Sequence, residues 1–119
     1  MAYYDSKPEI LAAVGDGSYL YHYNLEEVSL RPELPAQWRC SEVTVMEPVT
    51  ANKITEAVIA AEFAPSYEQK LVNEFNAAQL GLMPEDEAQA KIAAYRSFLE
   101  RRAALKAQVD ADCAELKIL

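Results

Sequence analysis

Residues 84–117, PEDEAQAKIAAYRSFLERRAALKAQVDADCAELK, decide how this chain is read. Ala88, Tyr95, Arg102, Val109 and Leu116 recur at every seventh position, and Ile92, Leu99, Leu105 and Cys113 fall on or beside the same stripe. That spacing predicts one long amphipathic helix with a largely apolar face. Pro84 suits its first position, and Glu85, Asp86 and Glu87 sit where the helix dipole favours anions. The pairs Glu87–Lys91 and Lys106–Asp110 add support one turn apart. At ~1.5 Å per residue the helix would run roughly 50 Å, longer than a domain of this size is wide. Part of its stripe is therefore expected to meet something besides the chain's own core, and Arg102 is a polar insertion of the kind that sets register in a helical assembly.

Helical signals continue upstream as far as Pro48. Ser66-Tyr-Glu-Gln69 matches a capping box ahead of a helix whose stripe is Leu71, Phe75 and Ala78. Gly81 is a left-handed stop for that helix, with Leu82 placed for the accompanying hydrophobic contact. Before it, Thr50 or Asn52 can cap a helix presenting Ile54, Val58 and Ala61, flanked by Ile59 and Phe63, and Pro65 ends it.

Before Pro48 the period changes to two. Gly15-Asp16-Gly17 lies between Glu9–Val14 and Tyr19–Tyr23, and this turn chemistry predicts a hairpin because glycine accepts positive φ. A helix opening at Pro8 is the competing reading of the first run. Trp38–Met46, rich in Val, Thr and Trp, reads as a third strand after a loop marked by Pro32 and Pro35. Its alternation slips, since Trp38 and Cys40 share one parity and Val43 and Val45 the other. Either a bulge near Ser41–Glu42 or apolar surface on both faces would account for that. The expected fold is thus α+β, an N-terminal three-stranded antiparallel β-meander followed by three helices, the last long and amphipathic. The whole of 1–119 forms one domain, β-rich over 1–47 and helical over 48–119. The two shorter helices, with the first turns of the long one, are expected to cover the sheet.

Composition narrows the function. A chain of 119 residues, 51% hydrophobic and 25% charged, is that of one globular domain. Eleven Lys and Arg against nineteen Asp and Glu give a net charge of −8, which opposes binding to phosphate backbones or anionic lipid. No apolar run approaches a membrane span, and the first residues lack the order of a signal peptide. Two cysteines, Cys40 and Cys113, are too few for a disulfide scaffold. We therefore expect a cytoplasmically made, reduced, soluble domain, with no nucleic acid, no membrane and no small-molecule substrate among its partners.

No constellation carries catalytic chemistry plainly. His22 is the one histidine, and no CxxC or HxxxH spacing accompanies it, so no metal and no cofactor are expected. A Cys40–His22 nucleophilic dyad requires the second and third strands to pair, and a space-filling buried cysteine is the plainer reading. The acidic runs Glu26-Glu27 and Glu85–Glu87 and the residues Asp110, Asp112 and Glu115 are dispersed, not converged as a general acid and base would be. The basic band Arg96, Arg101, Arg102 and Lys106 is interleaved with Glu100 and has few aromatic neighbours.

Seven tyrosines against three phenylalanines stand out. Tyrosine is rigid and amphipathic, suited to half-exposed contact surfaces. Tyr19, Tyr21 and Tyr23 share one strand face, read either as a platform for a partner or as a face covered by helices with its hydroxyls reaching solvent. Together with Trp38, and with Tyr95, Arg102, Val109 and Leu116 of the long helix, they are the candidate partner-binding residues; no catalytic residue is assigned.

The segments at 15–21 (GDGSYLY), 38–45 (WRCSEVTV), 52–59 (NKITEAVI), 68–81 (EQKLVNEFNAAQLG) and 105–113 (LKAQVDADC) together resemble small uncharacterised proteins encoded by phages and prophages of gut Bacteroides-type bacteria. The resemblance spans most of the chain and brings no catalytic residues with it. It implies a compact protein made in a bacterial cytoplasm, as a virion component or an assembly factor. The absent catalytic motifs, the helix longer than its domain and the aromatic strand then lead us to expect a non-enzymatic phage-associated structural or assembly protein acting by protein–protein contact or self-association. The acidic charge suggests a different expectation, a soluble inhibitor that engages a basic host protein. A cysteine- or carboxylate-based enzyme is the remote third.

Overall fold

Tight turns set the order of the sheet. The structure is a computed structural model describing residues 1–29 and 31–119. Its strands are β1 (Ala2–Tyr4), β2 (Leu11–Ala13), β3 (Ser18–Val28) and β4 (Gln37–Met46). They form one antiparallel sheet in the order β1-β4-β3-β2. The β2–β3 hairpin turns through Gly15 (φ 107°) and Gly17 (φ 88°), and Asp16 Oδ1 accepts the Ser18 N–H at 3.1 Å and the Ser18 hydroxyl at 2.5 Å. The expected meander is β2-β3-β4, with its first strand shorter than Glu9–Val14. The sheet has four strands, not three. The added β1 is only three residues long and carries no turn signal, so periodicity had nothing to register.

The slipped alternation of β4 reflects burial on both of its faces, and the irregularity of the ladder lies on the neighbouring strand. Tyr23 pairs with Ser41 and Glu26 with Arg39, so Asn24 and Leu25 of β3 oppose Cys40 alone. Asn24 takes φ 53°, a left-handed conformation that asparagine tolerates better than most residues. The bulge therefore lies on β3, not at Ser41–Glu42. β4 alternates without a break and is buried on both faces: Val43 and Val45 lie beneath the helices, and Cys40 is fully buried on the opposite, outer face. The 5–10 connection passes from the β1 edge to the β2 edge across that outer face. Lys7 Nζ stands 5.5 Å from the Trp38 ring centroid and Glu9 O bonds the His22 ring.

The helices are α1 (Ala51–Glu62), α2 (Pro65–Gln79) and α3 (Glu85–Leu116). Thr50 caps α1, its hydroxyl accepting from the Lys53 N–H at 3.2 Å. Ile54 and Val58 are the buried positions of α1, whereas Ala61 faces solvent. The capping box at Ser66 does not form. Pro65 already opens α2, Ala64 is the N-cap, and Gln69 Nε2 donates to Asn73 Oδ1 at 2.9 Å instead. α2 ends as its glycine requires, with Gly81 at φ 73°, Gly81 N–H bonded to Ala78 O and Leu82 N–H to Ala77 O. Leu82 itself remains exposed. Pro84 is the N-cap of α3 instead of its first helical residue, and Lys91 pairs with Glu74 of α2 at 3.1 Å instead of with Glu87. The Lys106–Asp110 pair forms at 2.8 Å.

α3 has 32 residues, about 48 Å at ~1.5 Å each, in a molecule 52 × 41 × 22 Å. It holds two packing units together. Its last turns, through Val109 and Cys113, join Ile54 and Val58 of α1 over the sheet residues Tyr21, Tyr23, Val43 and Val45. Its first turns carry α2, through Phe98 against Phe63 and Leu71. The expected cover of the sheet holds for α1 and fails for the rest: α2 packs on α3, and the C-terminal half of α3, not its first turns, lies over the strands. Leu105 touches both clusters. Of the heptad stripe, Ala88 and Val109 are buried and Tyr95 is half-buried, while Arg102 and Leu116 are exposed, as is the neighbouring Leu99. Phe98 and Asp112, one position off that stripe, are buried.

Candidate functional site

The tyrosine face is interior. Tyr21 is 0% and Tyr23 3% exposed, their rings stacked at 5.8 Å beneath α1 and α3, and Tyr19 is half-buried. Their hydroxyls do not reach solvent as donors. Tyr21 donates to Asp112 Oδ2 at 2.5 Å, and Tyr23 donates to Glu62 Oε1 at 2.8 Å. Gln108 Nε2 supplies the second carboxylate oxygen of Asp112 at 3.0 Å, so the buried carboxylate is met by two neutral donors. Tyr21, Tyr23 and Val109 are thus spent on the chain's own core and form no platform for a partner. The helix needs Asp112 at this depth because a tyrosine two strands in from the edge still carries a proton that must be accepted.

On the outer face a second polar cluster ties β1, β3, β4 and the 5–10 connection together. His22 pairs directly with Glu42 across the β3–β4 ladder, and Tyr4 reaches both from β1. The Tyr4 hydroxyl donates to Glu42 Oε2 at 2.6 Å. His22 Nδ1 donates to Glu9 O at 2.5 Å, a carbonyl being able only to accept, while Nε2 lies 3.2 Å from both Tyr4 Oη and Glu42 Oε2. The Tyr4 ring meets the imidazole edge-on at 5.3 Å. Both imidazole nitrogens are therefore engaged, and the ring is 2% exposed. Strands β3 and β4 do pair, which brings Cys40 onto the same face as His22, yet the thiol takes no part in these hydrogen bonds.

Neither thiol is set up as a nucleophile. Burial, then the nearby Glu42 carboxylate, pushes the Cys40 thiol up; burial, then Asp110 and Asp112, does the same to Cys113. A thiolate needs the reverse, an adjacent cation or a helix N-terminus. Among the described residues no three His, Cys, Asp or Glu side chains converge as metal ligands, and no helix is long and apolar enough to cross a membrane.

Two recesses stand out among the described residues. One, about 330 Å³, lies beside the β3–β4 connection between Leu34, Pro35 and Asp5. The other, about 320 Å³, opens where the bulge at Asn24–Leu25 meets Gln108 and Asp112 of α3. Trp38 is half-buried on the outer face under Lys7, and Tyr95 is half-buried against Phe75 at 4.8 Å. The candidate residues are thus dispersed over both sheet faces and both halves of α3. The sequence reading gave no role to Tyr4, Glu42 or Glu62, and took Asp112 for one of several dispersed carboxylates, where it is buried on the Tyr21 hydroxyl. Pairing β3 with β4 sets Glu42 beside His22, whereas Tyr4 arrives from β1, a strand the sequence does not signal.

The buried tyrosines make the alkaline limb of stability informative. Hydrogen bonding to Glu42, then burial, pushes Tyr4 up to about 12 from an ordinary value of 10.0. Burial, then the bonds to Asp112 and Glu62, raises Tyr21 and Tyr23 further. A raised folded-state pKa means the native protein holds its protons after the unfolded chain has lost them. Stability from these groups is complete below about pH 10 and is lost as pH rises from there through about 12. Phenolate absorbance should therefore show Tyr4, Tyr21 and Tyr23 ionising only with unfolding, in a cooperative step shared with far-ultraviolet dichroism. A smooth titration of all seven tyrosines that leaves the dichroism unchanged would contradict the buried network.

The chain matches no protein-family model, no curated protein and no solved structure.

Proposed function

We propose that this protein is a non-enzymatic, phage-associated structural or assembly protein that works through protein–protein contact. The observation that carries the reading is the division of labour along α3. One helix, nearly as long as the molecule, joins a sheet-based core to a separate helical pair, and leaves Leu99, Arg102 and Leu116 exposed along its length with Leu80 and Leu82 at the far end of α2. Leu80 and Leu82, exposed together at the turn after α2, give this elongated frame an apolar end that suits a part held between neighbours. The chemistry supports the same reading: the histidine has both nitrogens engaged, and both cysteines are held as thiols. The resemblance to phage-encoded proteins supplies the setting.

The test is direct. Particles purified from an induced host carrying a tagged copy of the chain should contain it at a fixed ratio to the major capsid or tail protein after density-gradient banding. A chain that stays wholly in the unassembled soluble fraction, and that binds no particle component, would contradict this function.

A further inference from the structure

The hydrogen-bonding direction along β4 exposes an edge that two copies of the chain can share. Glu47 N–H donates to Gly17 O at 2.9 Å, and β3 and β4 pair as Tyr19↔Val45, Tyr21↔Val43 and Tyr23↔Ser41. In a strand each residue points its N–H and C=O to one side, and successive residues alternate. The odd residues of β4 thus bond β3, and the even residues point to the opposite edge. β1 fills that edge at Trp38 and Cys40, where it pairs through Tyr4 and Ala2, and goes no further. Glu42, Thr44 and Met46 have no strand beside them among the described residues, and all three are exposed. Side chains reach its two ends: Lys53 Nζ lies 3.4 Å from Met46 O, and the Glu42 carboxylate meets the Tyr4 hydroxyl at 2.6 Å and His22 Nε2 at 3.2 Å.

An open edge is a template for another strand. This one is bounded on one side by β1 and on the other by Pro48, which has no N–H to offer a ladder. The open length and its sequence are self-complementary. If two copies meet antiparallel about a twofold axis at Thr44, then Glu42 opposes Met46 of the other copy, Thr44 opposes Thr44, and Met46 opposes Glu42. Each of these is a pair whose N–H and C=O point across the junction. On the outer face no charge meets a like charge, and the two threonines form a favourable cross-strand pair. On the inner face Val43 opposes Val45 in both directions, continuing the β-branched rows that each copy already packs under α1. The register match, with each Glu42 facing an uncharged Met46, lets a second copy of this chain fill the edge in spite of the −8 net charge that each copy carries.

We propose that this protein dimerises by antiparallel pairing of β4 with β4 of a second copy, centred on Thr44, which makes one sheet continuous across both. The inference gives the self-association surface for the assembly role above and rests on that reading. The geometry supplies a clean variant. Because the Thr44 N–H points away from β3, Thr44→Pro removes an edge donor and leaves the β3–β4 ladder intact. Wild-type mass measured by light scattering should rise toward twice the monomer as concentration increases, and the rise should come earlier at high salt, which screens repulsion between two acidic copies. Thr44→Pro should stay at monomer mass with unchanged far-ultraviolet dichroism.

Register is read independently by cross-linking. Thr44→Cys places two thiols opposite each other at the twofold axis, within disulfide reach for directly paired strand residues. Met46→Cys sets them opposite Glu42 and apart, and the native Cys40 and Cys113 are buried. Under mild oxidation Thr44→Cys should give a covalent dimer on a non-reducing gel and Met46→Cys should not. The cysteine pair decides the matter even if Thr44→Pro fails to fold. A wild type that is monomeric at every concentration, a dimer that survives Thr44→Pro, or equal cross-linking by both cysteine variants would each overturn the edge pairing. A dimer that survives Thr44→Pro, or a monomer still found in purified particles, overturns the edge and leaves the assembly role standing. Absence from particles in the presence of a Thr44-centred dimer does the reverse.

Discussion

Phe98→Ala should cost about 3–5 kcal/mol of folding stability, the usual range for deleting a fully buried ring. Phe98 is 2% exposed, and its ring centre lies 4.8 Å from Phe63 and 6.3 Å from both Tyr67 and Tyr95. At Phe98 the end of α1, the start of α2 and the first half of α3 converge, through Phe63, Leu71 and Tyr95. Truncation leaves a cavity among these side chains and loosens α2 from α3. Guanidinium unfolding should show the loss, with proteolysis appearing first within α2. The adjacent Leu99, which is exposed, provides the contrast: Leu99→Ala should change stability by no more than about 0.5 kcal/mol. Equal effects at the two positions would mean that the helix is rotated from the orientation described.

The second large effect belongs to the Tyr21–Asp112 bond. Tyr21→Phe should cost roughly 1.5–3 kcal/mol, because it leaves a buried carboxylate short of one of its two donors. Asp112→Leu should cost a comparable amount by stranding the Tyr21 hydroxyl. The double variant Tyr21→Phe/Asp112→Leu should be more stable than the sum of the two losses predicts, since removing both partners removes the unsatisfied group as well. Urea titrations of the four proteins give the coupling. Strict additivity would mean that the hydroxyl and the carboxylate do not depend on each other.

These two sites also mark where sequence reading succeeds and where it stops. The turn at Gly15–Gly17, the Thr50 cap, the stop at Gly81 and the unbroken run of α3 were legible because each depends on a backbone requirement that few residues meet. The stripe of α3 was legible only to within one position. A heptad count anchored on Ala88 and Val109 passes beside Phe98 and Asp112, because the helix changes partners midway, from α2 to the sheet, and the buried side shifts with them. The bulge could not be placed because it sits on β3, whereas the parity change that suggested one on β4 comes from burial of Cys40 on one face and of Val43 and Val45 on the other. Tyr21 and Tyr23 were ambiguous for a related reason: a tyrosine suits a contact surface and a satisfied core position equally well. The deciding fact, a carboxylate from Asp112 or Glu62 in reach, comes from helices far along the chain. The outer cluster was hidden in the same way. Tyr4, His22 and Glu42 share no local spacing, and only the strand order brings them together.

An assembly role and a shared β4 edge make the mass of the protein in solution the most direct test. Light scattering on size-separated wild-type protein, over a hundredfold range of concentration and at low and high salt, should move from the 13.3 kDa of one chain toward twice that value, sooner in high salt. A mass fixed at 13.3 kDa under every condition would contradict self-association and turn attention to contacts with a different protein.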